Sequence, residues 1–146
     1  MSVYEDILNA VQSTVEGLEL EGVEAVLIRK LPRNDEELDE LPIIVIAPED
    51  PEEVRHDSFE SVNVIYTVEI VWIGAGGVQT LDQVEEVLTS RETVRRAFQG
   101  PELPGVEEVW KTDMAPGSAF HRRGLNENYD YSGLRVRFHA HEPREN

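Results

Sequence analysis

Near the end of the sequence, side chains of types that can do chemistry recur at every second position. In "GLRVRFHAHE" (133–142), Arg135, Arg137, His139 and His141 alternate with Leu134, Val136, Phe138 and Ala140. Strict period-two alternation is that of a β-strand with one apolar and one polar face, which lines the four cations up on one side. Two imidazoles at this spacing could give a metal ion two ligands, and Glu142 follows. A catalytic zinc site needs three protein ligands and an open position. The other histidines, His56 and His121, lie elsewhere in the chain, and two arginines on the same face oppose a divalent cation. The chain has no cysteine, so thiolate ligands, thiol nucleophiles and disulfides are excluded.

Other catalytic patterns are weaker. Carboxylates are abundant but cluster in "NDEELDE" and "PEDPEE", where solvation keeps them near ordinary acidity and offers no poised acid–base pair. Ser118 in "PGSAF" lacks the strand–elbow–helix setting of a hydrolase nucleophile. "GAGG" (74–77) has neither the spacing nor the lysine of a phosphate-binding loop. The expectation is a protein that is not an enzyme and needs no cofactor. The alternative kept open is a small metal-dependent enzyme using His139 and His141.

Charge narrows the partners. The formal net charge is −17, and it is unevenly spread. Residues 1–90 hold 21 acidic side chains against four basic ones, whereas residues 91–146 hold nine of each. A molecule of this sign lacks the positive field that displaces counterions from phosphate, which argues against general nucleic-acid binding. The basic-aromatic stretch "HRRG" (121–124), beside Phe120, is too small to reverse that. No apolar run approaches the roughly 20 residues of a membrane helix, and "MSVYEDILNA" has neither a basic flank nor a long apolar core. Neither a membrane span nor a signal peptide is expected, and a chain without cysteine leads to the expectation of a cytosolic setting.

The elements that must position these residues can be read from periodicity. Tyr4, Ile7, Leu8, Val11, Val15 and Leu18 fall at helical spacing behind a capping pair, Ser2 and Glu5, which predicts a helix over about 3–18 closed off by Gly22. "VEAVLIRKL" reads as a strand. "PIIVIAPED" reads as a short strand buried on both faces and ending at Pro48 and Pro51. "SFESVNVIYTVEIVWIG" is the longest strand, with Val62, Val64, Tyr66, Val68, Ile70 and Trp72 on one face. A second helix starts at Thr80 and Gln83 and carries Leu81, Val84, Val87, Leu88, Val94 and Phe98; "TSRE" in its middle could kink it, and Gly100-Pro101 ends it. "GVEEVWKTDM" is a further strand. A long hairpin loop at about 115–128 then leads into the final strand, where a bulge at Gly133 would keep Tyr129 and Tyr131 on the face of Leu134. The order α-β-β-β-α-β-β predicts a single α+β domain over 1–146. Its form is two-layer, a mostly antiparallel sheet with two helices on one face.

Assembly is the reading these features share. A loop as long as 115–128 is uncommon in a compact domain unless it has a task, and it carries Arg122 and Arg123. Eleven of the 13 lysine and arginine residues are arginine, the cation favoured at protein interfaces. An acidic N-terminal part beside a neutral, arginine-bearing C-terminal part suits head-to-tail contact between copies, which closes into a ring when the rotation allows.

The element order, together with "VNVIYTVEIVWIG", "TLDQVEEVLTSRETVRRAF" and "YDYSGLRVRFHAHEPRE", resembles the tail terminator and head–tail completion (neck) proteins of tailed bacteriophages. The resemblance covers nearly the whole chain and rests on element order and strand character. It implies a structural virion protein, commonly a hexameric ring, assembled in the host cytoplasm and seated at the tail–head junction. Such a ring contacts the tail tube protein on one side and a head connector or neck protein on the other. It caps the tube and leaves a channel through which DNA passes without specific binding; an acidic lumen would repel the phosphate backbone. A monomeric acidic adaptor is the remaining alternative. Interface residues are then expected at Arg122, Arg123, Arg135, Arg137, His139 and His141, the last four on the solvent side of the final strand and facing acids of a neighbouring subunit or connector; their pairing with the protein's own acidic face is the alternative. On this reading Arg135→Glu with Arg137→Glu weakens assembly and leaves the monomer folded.

Overall fold

The computed structural model describes residues 2–30, 42–56, 61–75, 81–115 and 129–143. The element order is α1 (Val3–Gly17), β1 (Ala25–Ile28), β2 (Ile43–His56), β3 (Ser61–Ala75), α2 (Leu81–Ala97), β4 (Val109–Ala115) and β5 (Tyr129–Pro143). The strands form one five-stranded sheet in the order β1-β2-β3-β5-β4. Only β1 and β2 run parallel; the other neighbours are antiparallel. The fold is therefore the expected α+β two-layer arrangement.

Helix α1 begins where the Ser2 hydroxyl accepts the Glu5 N–H, satisfying one of the amide groups left open at a helix start. Glu5 and Asp6 in its first turn complement the positive end of the helix dipole. Its stripe of Ile7, Ala10, Val11 and Val15 is buried against the sheet. Gly22 has φ of 82°, a left-handed conformation that glycine adopts without a Cβ penalty. Helix α2 runs unbroken through "TSRE". There the Thr93 hydroxyl bonds back to the Thr89 carbonyl at 3.0 Å, and the Ser90 hydroxyl accepts the Trp72 indole N–H at 2.8 Å. Polar residues that could have broken the helix instead tie it to β3.

One core joins both helices to a single face of the sheet. It includes Val94 of α2 and Phe98 just past its end, Val64 to Trp72 at alternate positions of β3, and Leu134, Val136, Phe138 and Ala140 of β5. Phe98 and Phe138 meet edge to face with ring centres 5.9 Å apart. Arg91 adds a polar clamp, donating to the Gly133 carbonyl at 2.6 Å and to Ser132 Oγ at 3.0 Å.

Two local expectations need correcting. Strand β2 does not end at its prolines but runs on to His56: Pro48 pairs in register with Val68 beyond the reach of β1, and Pro51 falls in a register shift between Glu49 and Glu53. Proline lacks an N–H to donate, and a bulge is one of the places where a strand tolerates it. Nor does Gly133 make a bulge: β5 pairs with β3 in unbroken register from Ser61↔Pro143 to Ala75↔Tyr129. Tyr131 consequently turns to the other face, against a second apolar cluster of Ile43, Val45, Val71 and Ile73. The expected turn at 76–77, the start of α2 at Thr80 and the loop at 116–128 lie outside the described residues.

Phe138 is fully buried at the seam between β5 and α2. Phe138→Ala is expected to cost about 3–5 kcal/mol of folding stability, in the usual range for a large aromatic removed from a tight core. The shift of the urea unfolding midpoint measures it, and a loss under about 1 kcal/mol would contradict the packing described.

Candidate functional site

Along β3 and β5 the side chains that do not enter the helix-covered core project from the back of the sheet. Register pairs Asn63 with His141, Ile65 with His139, Thr67 with Arg137 and Glu69 with Arg135. The two arginines and two histidines singled out in the sequence do share one face. They do not share one environment: His141 is exposed, Arg135 and Arg137 are half-buried, and His139 is buried. The expectation of a solvent-facing His139 is thus overturned, because β5 lies between β3 and β4 and the ring is enclosed by its neighbours. Arg122 and Arg123, like Ser118 and His121, lie outside the described residues.

Asp113, which sequence reading passed over, organises one end of this face. Its carboxylate accepts Arg137 Nε at 2.8 Å through one oxygen and meets His139 Nε2 at 2.8 Å through the other. Partial burial works to raise the Asp113 pKa, but the hydrogen bonds from His139 and Arg137 and their charge outweigh it, holding the carboxyl below its usual range. Trp110 completes the group. Between Val109 and Lys111 the β4–β5 register shifts, and the extra residue turns the indole over the back face. There it stacks on His141 (ring centres 5.1 Å, 19° between planes) and meets His139 at an angle of 66°. Its Nε1–H donates to Oδ1 of the buried Asn63 at 2.9 Å.

A second polar group sits further along the same face. Burial raises the Glu69 carboxyl, and a hydrogen bond shared with Glu49 and the charge of Glu49 raise it further, to about 7, against the pull of Arg135. Glu49 is held low, chiefly by that hydrogen bond, then by the Asp50 N–H and Arg135, with burial opposing. The pair behaves as one proton shared between two carboxyls beside a guanidinium. Around it, the Thr67 hydroxyl donates to the Pro51 carbonyl at 2.9 Å, and the Tyr4 hydroxyl donates to the Thr67 carbonyl and accepts the Glu49 N–H at 3.2 Å. The irregular stretch of β2 is thereby pinned from both sides.

Chemically the arrangement can hold charge and present an aromatic surface, and it lacks what a metal centre needs. His139 spends Nε2 on Asp113. Among the described residues no group of three or more histidine, aspartate or glutamate side chains is placed to hold a metal ion. The sequence did contain a signal for the missed residues: in "SVNVIYTVEIVWI", the non-core positions mix Ile65, Val71 and Ile73 with Asn63, Thr67 and Glu69. A strand apolar on both faces is buried on both, so its interspersed polar groups must find partners.

Against known proteins, no family profile and no curated protein matches the chain. Among solved structures, a chain in the virion of a native gene transfer agent particle is similar, with a TM-score of 0.62 at 13% identity. The match covers 97% of this chain and 98% of that one. At this identity the likeness is one of fold, and it extends from end to end.

The arginines prove to be poor probes of assembly alone. Arg137→Glu would set a carboxylate against Asp113, and Arg135→Glu would add one beside Glu49 and Glu69, so both reversals threaten the fold itself. The carboxyl pair yields a cleaner test. Since Glu69 binds its proton more tightly folded than unfolded, its contribution to stability is complete below pH 4.5 and is lost as pH rises through about 7. Urea unfolding at a series of pH values is expected to show stability falling by no more than about 3 kcal/mol across that window, and Glu69→Gln should flatten the fall. The opposite contribution of Glu49 disappears only below its ordinary value of 4.5, so the two are separable.

Proposed function

We propose that this chain is a structural virion protein, a tail terminator or head–tail joining subunit that forms a ring, hexameric by preference, at the tail–head junction. The observation that carries the reading is the end-to-end fold similarity to a chain of a gene transfer agent virion. The partners are further copies of itself, the tail tube protein and a head connector or neck protein, with assembly in the host cytoplasm. Arg122, Arg123, Arg135, Arg137 and His141 stand as interface candidates.

Physical features support this role. Among the described residues of the back face, Arg137 and His139 are both held by the Asp113 carboxylate. The net charge of −17 keeps the surface from adhering to DNA, as a conduit wall must. A chain whose net negative charge lies in its first 90 residues has two unlike parts, and unlike parts favour head-to-tail closure.

The test is made in particles of the element that encodes the chain. A tagged copy should be incorporated, with gold label at the head–tail junction in negative stain, and deletion should give detached heads or tubes of uncontrolled length. Complete particles of normal form without the protein would refute the proposal. A metal bound stoichiometrically to the purified chain, with activity lost on changing His139 or His141, would favour the enzyme instead.

A further inference from the structure

Trp110 is an exposed tryptophan held as firmly as a buried one. It keeps 43% of its surface open while its N–H is fixed by Asn63, itself only 5% exposed, and its ring is stacked on His141. His139 abuts the indole and is tied to Asp113, which Arg137 also holds. A buried asparagine on a central strand is thus committed to orienting a surface indole. Rigid, pre-oriented tryptophans are typical anchors of protein interfaces, since little side-chain freedom is lost on binding. Lys111, exposed beside it, adds a positive charge, while Glu107 and Glu108 on the approach to β4 give the rim mixed sign.

The diagonally opposite corner is of one sign. Residues 2–28 include six acids and neither lysine nor arginine. Glu16, Glu19, Glu21 and Glu24, at the end of α1 and the turn into β1, are all exposed. Helix α1 lies on the helix-covered face and contacts β1, the far edge strand, through Gln12 Nε2 and the Val26 carbonyl at 2.9 Å. Trp110 lies on the other face, on the other edge strand. Within one chain these surfaces cannot meet; between two copies they can, and repeating such a contact yields a ring or a filament.

We propose that the Trp110–His141 surface, with Lys111, docks the acidic Glu16–Glu24 corner of a second copy of this chain. The proposal rests on the ring reading above and names the two surfaces that would join. Sedimentation velocity of the full chain over a wide concentration range is the test. Wild type should associate, more weakly as salt rises. Trp110→Ala should weaken association at least tenfold with an unchanged circular dichroism spectrum, and Glu19→Lys with Glu21→Lys should do the same. Each variant retains the surface the other lacks, so an equal mixture of the two should form a dimer that grows no further. Association of either variant at wild-type strength, or no dimer in the mixture, overturns the inference. So does a wild type that stays monomeric throughout, or Trp110 fluorescence quenched by a single-stranded oligonucleotide without self-association, which would mark a base-stacking surface. None of these outcomes bears on whether the chain is built into particles, which the gold label decides separately.

Discussion

Strand β3 is covered on both faces, and its sequence is not apolar on both. Asn63, Thr67 and Glu69 are each no more than 5% exposed. A buried polar group without a partner costs on the order of 1–3 kcal/mol, so every one of these side chains dictates something around it. Thr67 draws in the irregular stretch of β2 through the Pro51 carbonyl. Glu69 shares a proton with Glu49. Asn63 reaches the indole of Trp110 across the sheet. The bulge in β2, the aim of the β4 bulge and the polarity of the back face all answer to that constraint.

The two faces of the sheet are consequently built by different physics. On the helix side, burial of alternate aliphatic and aromatic residues supplies stability that is non-directional and tolerant of repacking. On the back, a smaller apolar cluster of Ile43, Val45, Val71 and Ile73 covers one part, and elsewhere directional hydrogen bonds and charge pairs fix positions at little net gain in stability. In this division one layer keeps the chain folded while the other holds a defined surface.

Much of the architecture could be read in advance because period and capping coincide. Ser2 with Glu5 marked α1, and the alternation in "VNVIYTVEIVW" and "LRVRFHA" marked β3 and β5. What escaped was non-local. That Pro51 lies inside a strand depends on a bulge facing β3, and that Tyr131 faces away from Leu134's core depends on unbroken pairing with Ile73. The polar face of β5 was found, but Asp113, the residue that binds its cations, was not, since the β4–β5 register that brings them together cannot be seen in either strand alone. Trp110 was missed for a similar reason: only a register shift turns it to that side.

The sheet order has a consequence for how the chain comes into being. Strand β5, the last described, inserts between β3 and β4 and pairs along the whole length of β3, Ser61 with Pro143 at one end and Ala75 with Tyr129 at the other. During synthesis β3 therefore emerges long before its neighbour exists, with Ile65, Val71 and Ile73 uncovered and one row of backbone groups open. Pairings so distant in sequence form late and slowly, and an unpaired apolar strand invites aggregation in the interval. The net negative charge of the first 90 residues opposes such association, because like-charged chains repel one another.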